Sequence, residues 1–402
     1  MSRPIRKPVS KDGFAAAPTR NDPRLDLLIY AHDGRGLGHA SRGVAIGLAV
    51  RRLFPALKVL FVSGCKHTGA LTGIAPLDWI KLPSYEKIVV DGAPRGRIGN
   101  TNLKNSYLVK SRTRLIRAIV GEYRPRCVLV DHEAAGKRDE LLPAIGLGTD
   151  TRWVLGLRAV IGNVADVWSA TATATFKKHY TALLWYGDAA VLGPGPLQAI
   201  RHRYHVEPKP TGYISRLREL THWEPPPAET DPPLAGTIAV SWHTETSMQV
   251  LQNLRAALGR IGDRYGRWHV FADFGHPLFS DLPFCRVENL SARYLSAIAN
   301  SRTAVVYGGY NSLADLLSVN IPAVVLLRDI ADREQEHHVK KLAACSGASL
   351  QVLPEMEASP DHLQAALEKQ LNSKPSQSCL ADINGAETTA KIIAELIRRG
   401  DC

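Results

Sequence analysis

The stretch that decides the fold is VVYGGYNSLADLL, residues 305–317, a β-rich apolar run followed by two glycines and a polar step into a helix. Glycine lets the backbone turn sharply and lets a ligand approach closely. A helix start carries unpaired N–H groups and a partial positive charge, which suit a diphosphate. Asp315 lies one turn into this helix, where a carboxylate can reach a ribose, as in other nucleotide-binding folds. The alternative is an ordinary tight join between a strand and a helix.

The residues that follow predict another strand and helix. IPAVVLLR, residues 321–328, is a continuous apolar run typical of a parallel strand, and REQEHHVKKL, residues 333–342, opens the next helix. Arg328, Glu334 and Gln335 fall where that strand ends and that helix begins, at the edge where open α/β sheets bind ligands. Gln335 can donate and accept hydrogen bonds at once, which suits a pair of sugar hydroxyls.

These segments resemble the donor half of the GT-B glycosyltransferases, in the group that includes the cell-wall enzyme MurG and related bacterial glycosyltransferases of family 28. The resemblance covers the chain from Leu25 to about Leu353, and its segments occur in family order: DLLIYAHDGRGLGHASRGVAIGLAVRRL, VLVDHEAAGKRDELLPA, LGLRAVIGN, LLWYGDAAVLG and PTGYISR. It implies an α/β fold of two Rossmann-like domains whose parallel sheets face a central cleft. It also implies a nucleotide-sugar donor in the second domain, with no metal or other cofactor required.

The resemblance and the motif positions together nominate the site residues. In this family an acidic residue of the second-domain helix holds the ribose, and that role falls on Asp315, where the pattern usually has Glu. The complete donor-side set is Gly308, Gly309, Asn311, Ser312, Asp315, Arg328, Glu334, Gln335, Thr244 and Ser247. The acceptor and sugar side of the cleft is expected to contain Gly36, Gly38 and His132.

One segment departs from the family pattern. Related enzymes have a glycine-rich loop after the first strand of the donor domain, whereas this chain reads SWHTETS, residues 241–247, without glycine. Hydroxyl groups of Thr244 and Ser247 can still donate to a phosphate, but Glu245 would repel one unless it points away. The diphosphate contact and the identity of the donor therefore stay open.

His39 is the predicted catalytic base. It follows Gly36 and Gly38 at the start of a helix, and its near-neutral reference pKa suits proton transfer. The alternative is that His39 only caps the helix or contacts phosphate. Asp131 and His132 end the strand RCVLVDH, residues 126–132, and Asp131 is expected to orient or replace the base. For this pair the alternative is structural hydrogen bonding at a strand end.

Length and composition indicate two soluble domains. The chain has 402 residues, about twice a typical domain, with 45% hydrophobic and 22% charged residues. The prediction divides it into a flexible basic tail (1–24), an acceptor-side Rossmann-like domain (25–220), a Pro-rich linker (221–236), a donor domain (237–385) and a C-terminal helix crossing back (386–402). No secretory signal or membrane span is recognised, so we expect a cytoplasmic, bacterial protein.

The net charge of +12 favours anionic partners. Nucleic acid is disfavoured, because no RRM, zinc-finger or helix-turn-helix signal occurs and aromatic residues are only 7%. Outside the tail, cations concentrate between residues 81 and 117: Lys81, Lys87, Arg95, Arg97, Lys104, Lys110, Arg112, Arg114 and Arg117. They fit an anionic or lipid-phosphate acceptor, or peripheral contact at the inner membrane face. The favoured alternative is a solvated helix face. The six cysteines form no CxxC spacing, so no zinc site is predicted.

The predicted function is inverting, metal-independent transfer of a sugar from a nucleoside diphosphate donor, expected to be UDP-linked, to a small-molecule or lipid-linked acceptor. An N-acetylhexosamine is one candidate sugar, so the enzyme class is a hexosyltransferase. Three alternatives stay open: a GT-B sugar epimerase, a pseudo-glycosyltransferase of natural-product biosynthesis, and a non-catalytic nucleotide-sugar-binding protein. The sequence does not indicate the pathway or the oligomeric state.

Overall fold

Alternating strands and helices build two parallel sheets. The computed structural model describes residues 23–32, 37–90, 93–97, 101–147, 150–161, 165–223, 233–240, 245–272, 278–289, 291, 293–328, 334–346, 349–374 and 381–399. Residues 1–22 of the basic tail and most of the Pro-rich linker therefore lie outside the described residues.

The first half of the chain contains nine strands and nine α-helices within the described ranges. In chain order they are β1 (Leu27–Ala31), α1 (Gly38–Leu53), β2 (Val59–Ser63), α2 (Thr68–Thr72), β3 (Trp79–Lys81), β4 (Glu86–Val90), β5 (Ala93–Arg97), α3 (Asn105–Tyr123), β6 (Cys127–Asp131), α4 (Leu142–Ile145), β7 (Arg152–Arg158), α5 (Ala165–Trp168), α6 (Ala170–His179), β8 (Tyr180–Tyr186), α7 (Ala189–Leu192), α8 (Gly195–Tyr204), β9 (Lys209–Pro210) and α9 (Arg216–Leu220).

The first sheet has seven strands in the order β3-β2-β1-β6-β7-β8-β9, all parallel. Strand β1 is buried at every position, as is β6, which explains why both read as continuous apolar runs. The pair β4 and β5 forms a separate antiparallel hairpin between β3 and α3. The order reverses between β1 and β6, so the carboxyl ends of these two strands form a topological switch point.

The second half repeats the pattern. Its elements are β10 (Leu234–Val240), α10 (Glu245–Ile261), β11 (Trp268–Ala272), β12 (Cys285–Glu288), α11 (Arg293–Ala299), β13 (Ser301–Tyr307), α12 (Tyr310–Val319), β14 (Ala323–Leu327), α13 (Glu334–Ser346), β15 (Leu350–Pro354), α14 (Pro360–Asn372) and α15 (Gly385–Arg398). The sheet order is β12-β11-β10-β13-β14-β15, again all parallel, and it reverses between β10 and β13. The glycine join of residues 308–309 follows β13, at this second switch point.

Two predicted boundaries shift. Strand β10 begins at Leu234 rather than at Thr237, because Leu234 already pairs with Ser301 and its N–H donates to the Asn300 carbonyl. The last helix begins at Gly385, one residue earlier than expected.

Helix α15 packs against α1 of the first half through a stripe that includes Ala390, Ile393 and Ile397, all buried. Arg52 of α1 also reaches Glu387 of α15, with 3.5 Å between Nη2 and Oε2. The C-terminal helix therefore connects the second half back to the first.

Candidate functional site

The first switch point brings three predicted residues together. Ala31 at the end of β1 pairs with Asp131 at the end of β6, so His32 and His132 follow adjacent strand ends. His39 lies in the first turn of α1, which begins at Gly38. Because the carboxyl ends of parallel strands share one edge, the base predicted on α1 and the carboxylate predicted on β6 meet there.

His39 and Asp131 form a hydrogen-bonded pair. His39 Nδ1 lies 2.5 Å from Asp131 Oδ2, and Arg42 donates to both oxygens of the same carboxylate, through Nε at 3.1 Å and Nη2 at 2.9 Å. An ionised carboxylate only accepts, so Nδ1 of His39 carries the proton and donates it. The side chains of Asp131 and Arg42 are each 3% exposed, whereas that of His39 is 19% exposed. His39 is thus the member of this group that a substrate can reach.

The pair sets the protonation states that a base needs. Burial alone would raise the pKa of the Asp131 carboxyl, but the Arg42 charge and the His39 hydrogen bond outweigh it, and the pKa lies well below its usual range. Burial lowers the pKa of His39, and the charges of Arg42 and Arg158 lower it further, although Asp131 opposes both effects. His39 is therefore neutral near pH 7 and able to accept a proton.

His132 occupies strained backbone beside this pair. Its φ is 76°, a left-handed value that is uncommon outside glycine, and its N–H donates to the Gly156 carbonyl at 2.8 Å. The ring is buried, and its Nδ1 has no hydrogen-bond partner among the described residues. Burial and the Arg158 charge hold the pKa of His132 well below its usual range. A strained residue with an unsatisfied buried nitrogen is typical of a binding site.

The two glycines of the second switch point have different surroundings. A Cβ on Gly308 would lie 2.6 Å from Val339 Cγ2, so close packing against α13 excludes a larger residue. A Cβ on Gly309 would meet nothing within 4 Å, and Gly309 is the N-cap of α12. Gly308 thus fits the alternative of an ordinary tight join between a strand and a helix. Gly309 instead leaves open space at the start of α12.

The first turn of α12 contacts the first half of the chain. A Cβ on Gly38 would lie 3.1 Å from Asn311 Nδ2, so the starts of α1 and α12 lie close together. The Tyr310 hydroxyl donates to the Tyr186 carbonyl and accepts from the Ile214 N–H, both at 2.9 Å, and its ring lies against Arg42. The two switch points therefore lie opposite each other where the two halves of the chain meet.

Asp315 is buried in this contact between the two halves. Its Oδ1 accepts from Ser215 Oγ at 2.8 Å and from the Leu217 N–H at 3.3 Å, at the start of α9. Burial raises the pKa of the Asp315 carboxyl, although the Arg216 charge and these hydrogen bonds oppose the shift. Its ribose role stays a prediction, since the contacts described here are with the protein.

The remaining donor-side residues are dispersed around the second switch point. The Arg328 guanidinium stacks on the Tyr307 ring at 4.0 Å, whereas Ser312 lies beside the Tyr294 hydroxyl and Ser247 is buried in α10. Gln335 lies in the first turn of α13, and its Oε1 is buried without a hydrogen-bond partner among the described residues. Gly36, Thr244 and the side chain of Glu334 lie outside the described part of the chain.

The adjacent histidines of α13 point apart. His338 is buried and stacks on Tyr213, with 2.9 Å between its Nε2 and the Tyr213 hydroxyl, whereas His337 is exposed. Burial and the Arg158 charge lower the pKa of His338 to about 3. His338 is thus part of the contact between the two halves.

The basic region is not one surface. Lys110, Arg114 and Arg117 are exposed on α3, but Arg112 is completely buried and donates to Glu140 at 2.6 and 2.7 Å. The prediction that groups Arg112 with surface cations is therefore wrong, because this guanidinium is neutralised inside the domain. The cations of the β4–β5 hairpin have side chains outside the described residues.

Sequence reasoning missed several residues of the candidate site. Arg42 was recoverable, because it lies three residues after His39 on the same helix face. Ser215 and Tyr310 were not, because their contacts depend on how the two halves of the chain dock. Arg158 ends β7, in a segment that resembled the family, but no local pattern marks its charge as part of this cleft.

Comparison with solved structures relates this geometry to known proteins. A structure of Acinetobacter baumannii MurG is 13% identical with a TM-score of 0.51, and the match covers 94% of this chain and 100% of that one. UDP-GlcNAc 2-epimerase from Methanocaldococcus jannaschii is 11% identical with a TM-score of 0.56, covering 92% and 99%. The spinosyn rhamnosyltransferase SpnG is 14% identical with a TM-score of 0.51, covering 94% and 96%. At these identities the matches establish the fold alone.

No curated protein sequence matches the chain closely enough to count as a relative. Residues 279–396 match the glycosyltransferase family 28 C-terminal domain. This segment contains β13, α12, β14 and α13, the elements from which the resemblance was first drawn. The chain therefore has the GT-B fold of two facing parallel sheets and carries a glycosyltransferase family 28 C-terminal domain in its second half.

Proposed function

We propose that this protein is an inverting glycosyltransferase that moves a sugar from a nucleoside diphosphate donor to an acceptor hydroxyl. The observation that carries the proposal is the His39–Asp131 pair at the first switch point. It faces the start of α12, which belongs to the family 28 domain. A partly exposed imidazole held by a buried carboxylate is suited to general base catalysis.

In this mechanism His39 takes the proton of the acceptor hydroxyl. Nδ1 is engaged by Asp131, so the free lone pair is on Nε2, the nitrogen that would face the acceptor. The Asp131 carboxylate stabilises the imidazolium that forms, while Arg42 keeps that carboxylate ionised. The activated oxygen then attacks the anomeric carbon of the donor sugar from the face opposite the diphosphate, and the configuration inverts.

The donor is assigned to the second switch point. Gly309 gives a diphosphate access to the start of α12, where N–H groups and the helix dipole favour negative charge. The buried oxygens of Asn311 and Gln335 have no partners among the described residues, so hydroxyl donors of a sugar would satisfy both. Asp315 is assigned to the ribose, although Ser215 and the Leu217 N–H already use its Oδ1.

We assign a UDP-linked hexose, with an N-acetylhexosamine the first to test. The related fold of Methanocaldococcus jannaschii UDP-GlcNAc 2-epimerase has been solved in complex with UDP-GlcNAc and UDP. No group of His, Cys, Asp or Glu among the described residues could hold a metal ion. We propose that helix starts and cationic side chains neutralise the leaving diphosphate, and metal-independent turnover is the prediction that the EDTA experiment below tests.

An anionic acceptor fits the surface of the first half. Lys110, Arg114 and Arg117 are exposed on α3, where Tyr107 and Leu115 are 55% and 44% exposed. Cations beside apolar side chains favour a lipid phosphate over a neutral acceptor. The helices within the described ranges include none long and apolar enough to cross a bilayer. Any membrane contact through α3 would therefore be peripheral.

The proposed function is tested first by donor binding and then by identification of the reaction product. Thermal unfolding is measured with nucleoside diphosphates and their sugars, and a ligand at 100 times its Kd should stabilise the protein by about 2.7 kcal/mol. Ligands that bind are then incubated with neutral and lipid-phosphate acceptors, with and without EDTA. Glycoside together with free nucleoside diphosphate in both conditions supports the proposal.

Other outcomes identify the alternatives. An epimerised nucleotide sugar formed without acceptor would make the protein an epimerase, and a non-sugar product would indicate a pseudo-glycosyltransferase. Binding without turnover over the whole acceptor panel would indicate a non-catalytic nucleotide-sugar-binding protein. Turnover that stops with EDTA and resumes with magnesium would contradict the metal-independent mechanism.

A further inference from the structure

A second histidine–carboxylate pair lies beside the first one. His32 follows β1 directly, and its Nε2 is 3.3 Å from Glu133 Oε1, with both side chains 5% exposed. Glu133 follows Asp131 by two residues, so the end of β6 supplies both carboxylates, while the histidines come from the end of β1 and from α1. The mechanism above uses neither His32 nor Glu133.

The two pairs touch through their rings. The centroids of His32 and His39 are 3.9 Å apart, and the ring planes are inclined by 42°. His132 is more distant from His39, with 5.4 Å between centroids. His39 therefore makes two contacts: its Nδ1 meets the Asp131 carboxylate, and the His32 ring packs against the face of its imidazole.

Each carboxylate also has its own cation. Asp131 is paired with Arg42, and Glu133 accepts from Lys137 Nζ at 3.1 Å. The two carboxylates are therefore each matched by a cation. The arrangement is not a metal site, because no group of His, Cys, Asp or Glu within the described ranges could hold a metal ion.

We propose that His32 is a positioning residue for His39 through the contact between the two rings. The buried ring of His32 restricts rotation of the His39 ring, which keeps Nδ1 on Asp131 and leaves Nε2 toward the cleft. A base must lie within hydrogen-bond reach of its proton, so a ring free to rotate spends less time in the reactive geometry. The catalytic consequence rests on the proposed transferase function, whereas the restraint on the His39 ring does not.

The charged groups around His39 must stay in place in any variant of His32 that tests this restraint. Among the described residues, the charged and titratable groups around His39 are Arg42 on α1, Asp131 and His132 at the end of β6, Arg158 on β7, and His32 after β1, with Glu133 and Lys137 beyond His32. His32→Phe keeps the ring and leaves all of the other groups in place. His32→Ala removes the ring, and exposed His202 provides the matched control His202→Ala.

The experiment measures the tautomer of His39 by NMR of protein labelled with ¹⁵N-histidine, assigned by loss of its signals in His39→Gln. In the wild type the proton should reside on Nδ1. His32→Ala should give a mixture of Nδ1–H and Nε2–H forms, whereas His32→Phe and His202→Ala should keep the wild-type form. Glu133→Gln leaves the His32 ring in place and should also keep the wild-type form.

A wild-type tautomer in His32→Ala would overturn the proposal. A mixture of His39 tautomers in His32→Phe, equal to that in His32→Ala, would also overturn it, since the ring would then not be the restraint. If His32→Ala does not fold, His32→Val, which has no ring, takes its place in the comparison with His32→Phe, with the same expected and overturning results.

Turnover gives a second readout once a substrate is known. His32→Ala should lower kcat about 10–100-fold with donor Kd unchanged, and His32→Phe should restore most of the loss. An unchanged kcat in His32→Ala would contradict the catalytic part of the proposal. A wild-type protein without any transferase activity would remove the proposed function, while the NMR result would still test the restraint on His39.

Discussion

The two switch points of this molecule differ in how the protein pairs the polar groups predicted to act there. At the first, Asp131 is buried and hydrogen-bonded to both His39 and Arg42, although Nδ1 of the neighbouring His132 has no partner among the described residues. At the second, Asn311 and Gln335 each bury an oxygen without a hydrogen bond among the described residues. Buried polar atoms are usually paired, so the protein completes the His39–Asp131–Arg42 group, whereas His132 and the two donor-side oxygens lack partners that a ligand would supply. This difference fits the proposed transfer, in which the protein itself holds the base.

The largest effect expected at the completed site is on stability. Arg42→Met leaves the Asp131 carboxylate buried without its cation and should lower the free energy of unfolding by about 3–5 kcal/mol. Urea unfolding measures this change. Arg117→Met, at an exposed position of α3, is the control and should change stability by less than about 0.5 kcal/mol.

A double variant tests whether the unpaired charge causes the loss of stability. Arg42→Met combined with Asp131→Asn removes both charges and should be more stable than Arg42→Met alone. If Arg42→Met costs no more than the Arg117→Met control, the first switch point is not held by a buried ion pair.

At the second site we expect effects on donor affinity. Asp315→Ala should weaken nucleoside diphosphate binding by about 1.5–3 kcal/mol, because it removes a charge-assisted hydrogen bond to the ribose. Calorimetric titration measures the Kd. Ser215→Ala removes a protein partner of Asp315 and keeps the carboxylate, so donor affinity should be retained. Equal losses in the two variants would make Asp315 a contact between the halves rather than a ribose ligand.

Substitutions of the two glycines between β13 and α12 test core packing and ligand access separately. Gly308→Ala should destabilise the fold by about 1–3 kcal/mol, because the added methyl group overlaps Val339. Gly309→Ala has room in the protein and should leave stability nearly unchanged while weakening donor binding. Thermal unfolding and nucleotide titration of both variants distinguish the two roles. Normal donor affinity in Gly309→Ala would remove the diphosphate from this helix start.

The architecture was largely readable from the sequence, because buried parallel strands leave long apolar runs and glycine joins mark where helices begin. The His39–Asp131 pair follows from topology, since adjacent parallel strands end at one edge. The environment of Asp315 was not readable, because Ser215 is 100 residues away and meets it only when the two halves dock. Arg112 was misassigned because sequence shows that a residue is charged but not that a buried glutamate, Glu140, neutralises it.

A smaller effect is expected in the pH dependence of turnover. Burial lowers the pKa of His39, and the neutral imidazole is the form that accepts a proton. Activity should therefore persist below pH 6.5, the ordinary value, and fall only as His39 becomes protonated at lower pH. The pH profile of kcat with saturating donor measures this limb. A limb centred above 6.5 would contradict the buried environment described for His39.

The most direct test of the central claim is kcat for sugar transfer by His39→Ala, with the donor Kd determined on the same sample. If His39 is the base, kcat should fall by about 10²–10⁴-fold while the Kd stays near the wild-type value, because the imidazole acts on the acceptor proton and not on the nucleotide. A normal kcat, or a loss of activity fully explained by weaker donor binding, would contradict the account.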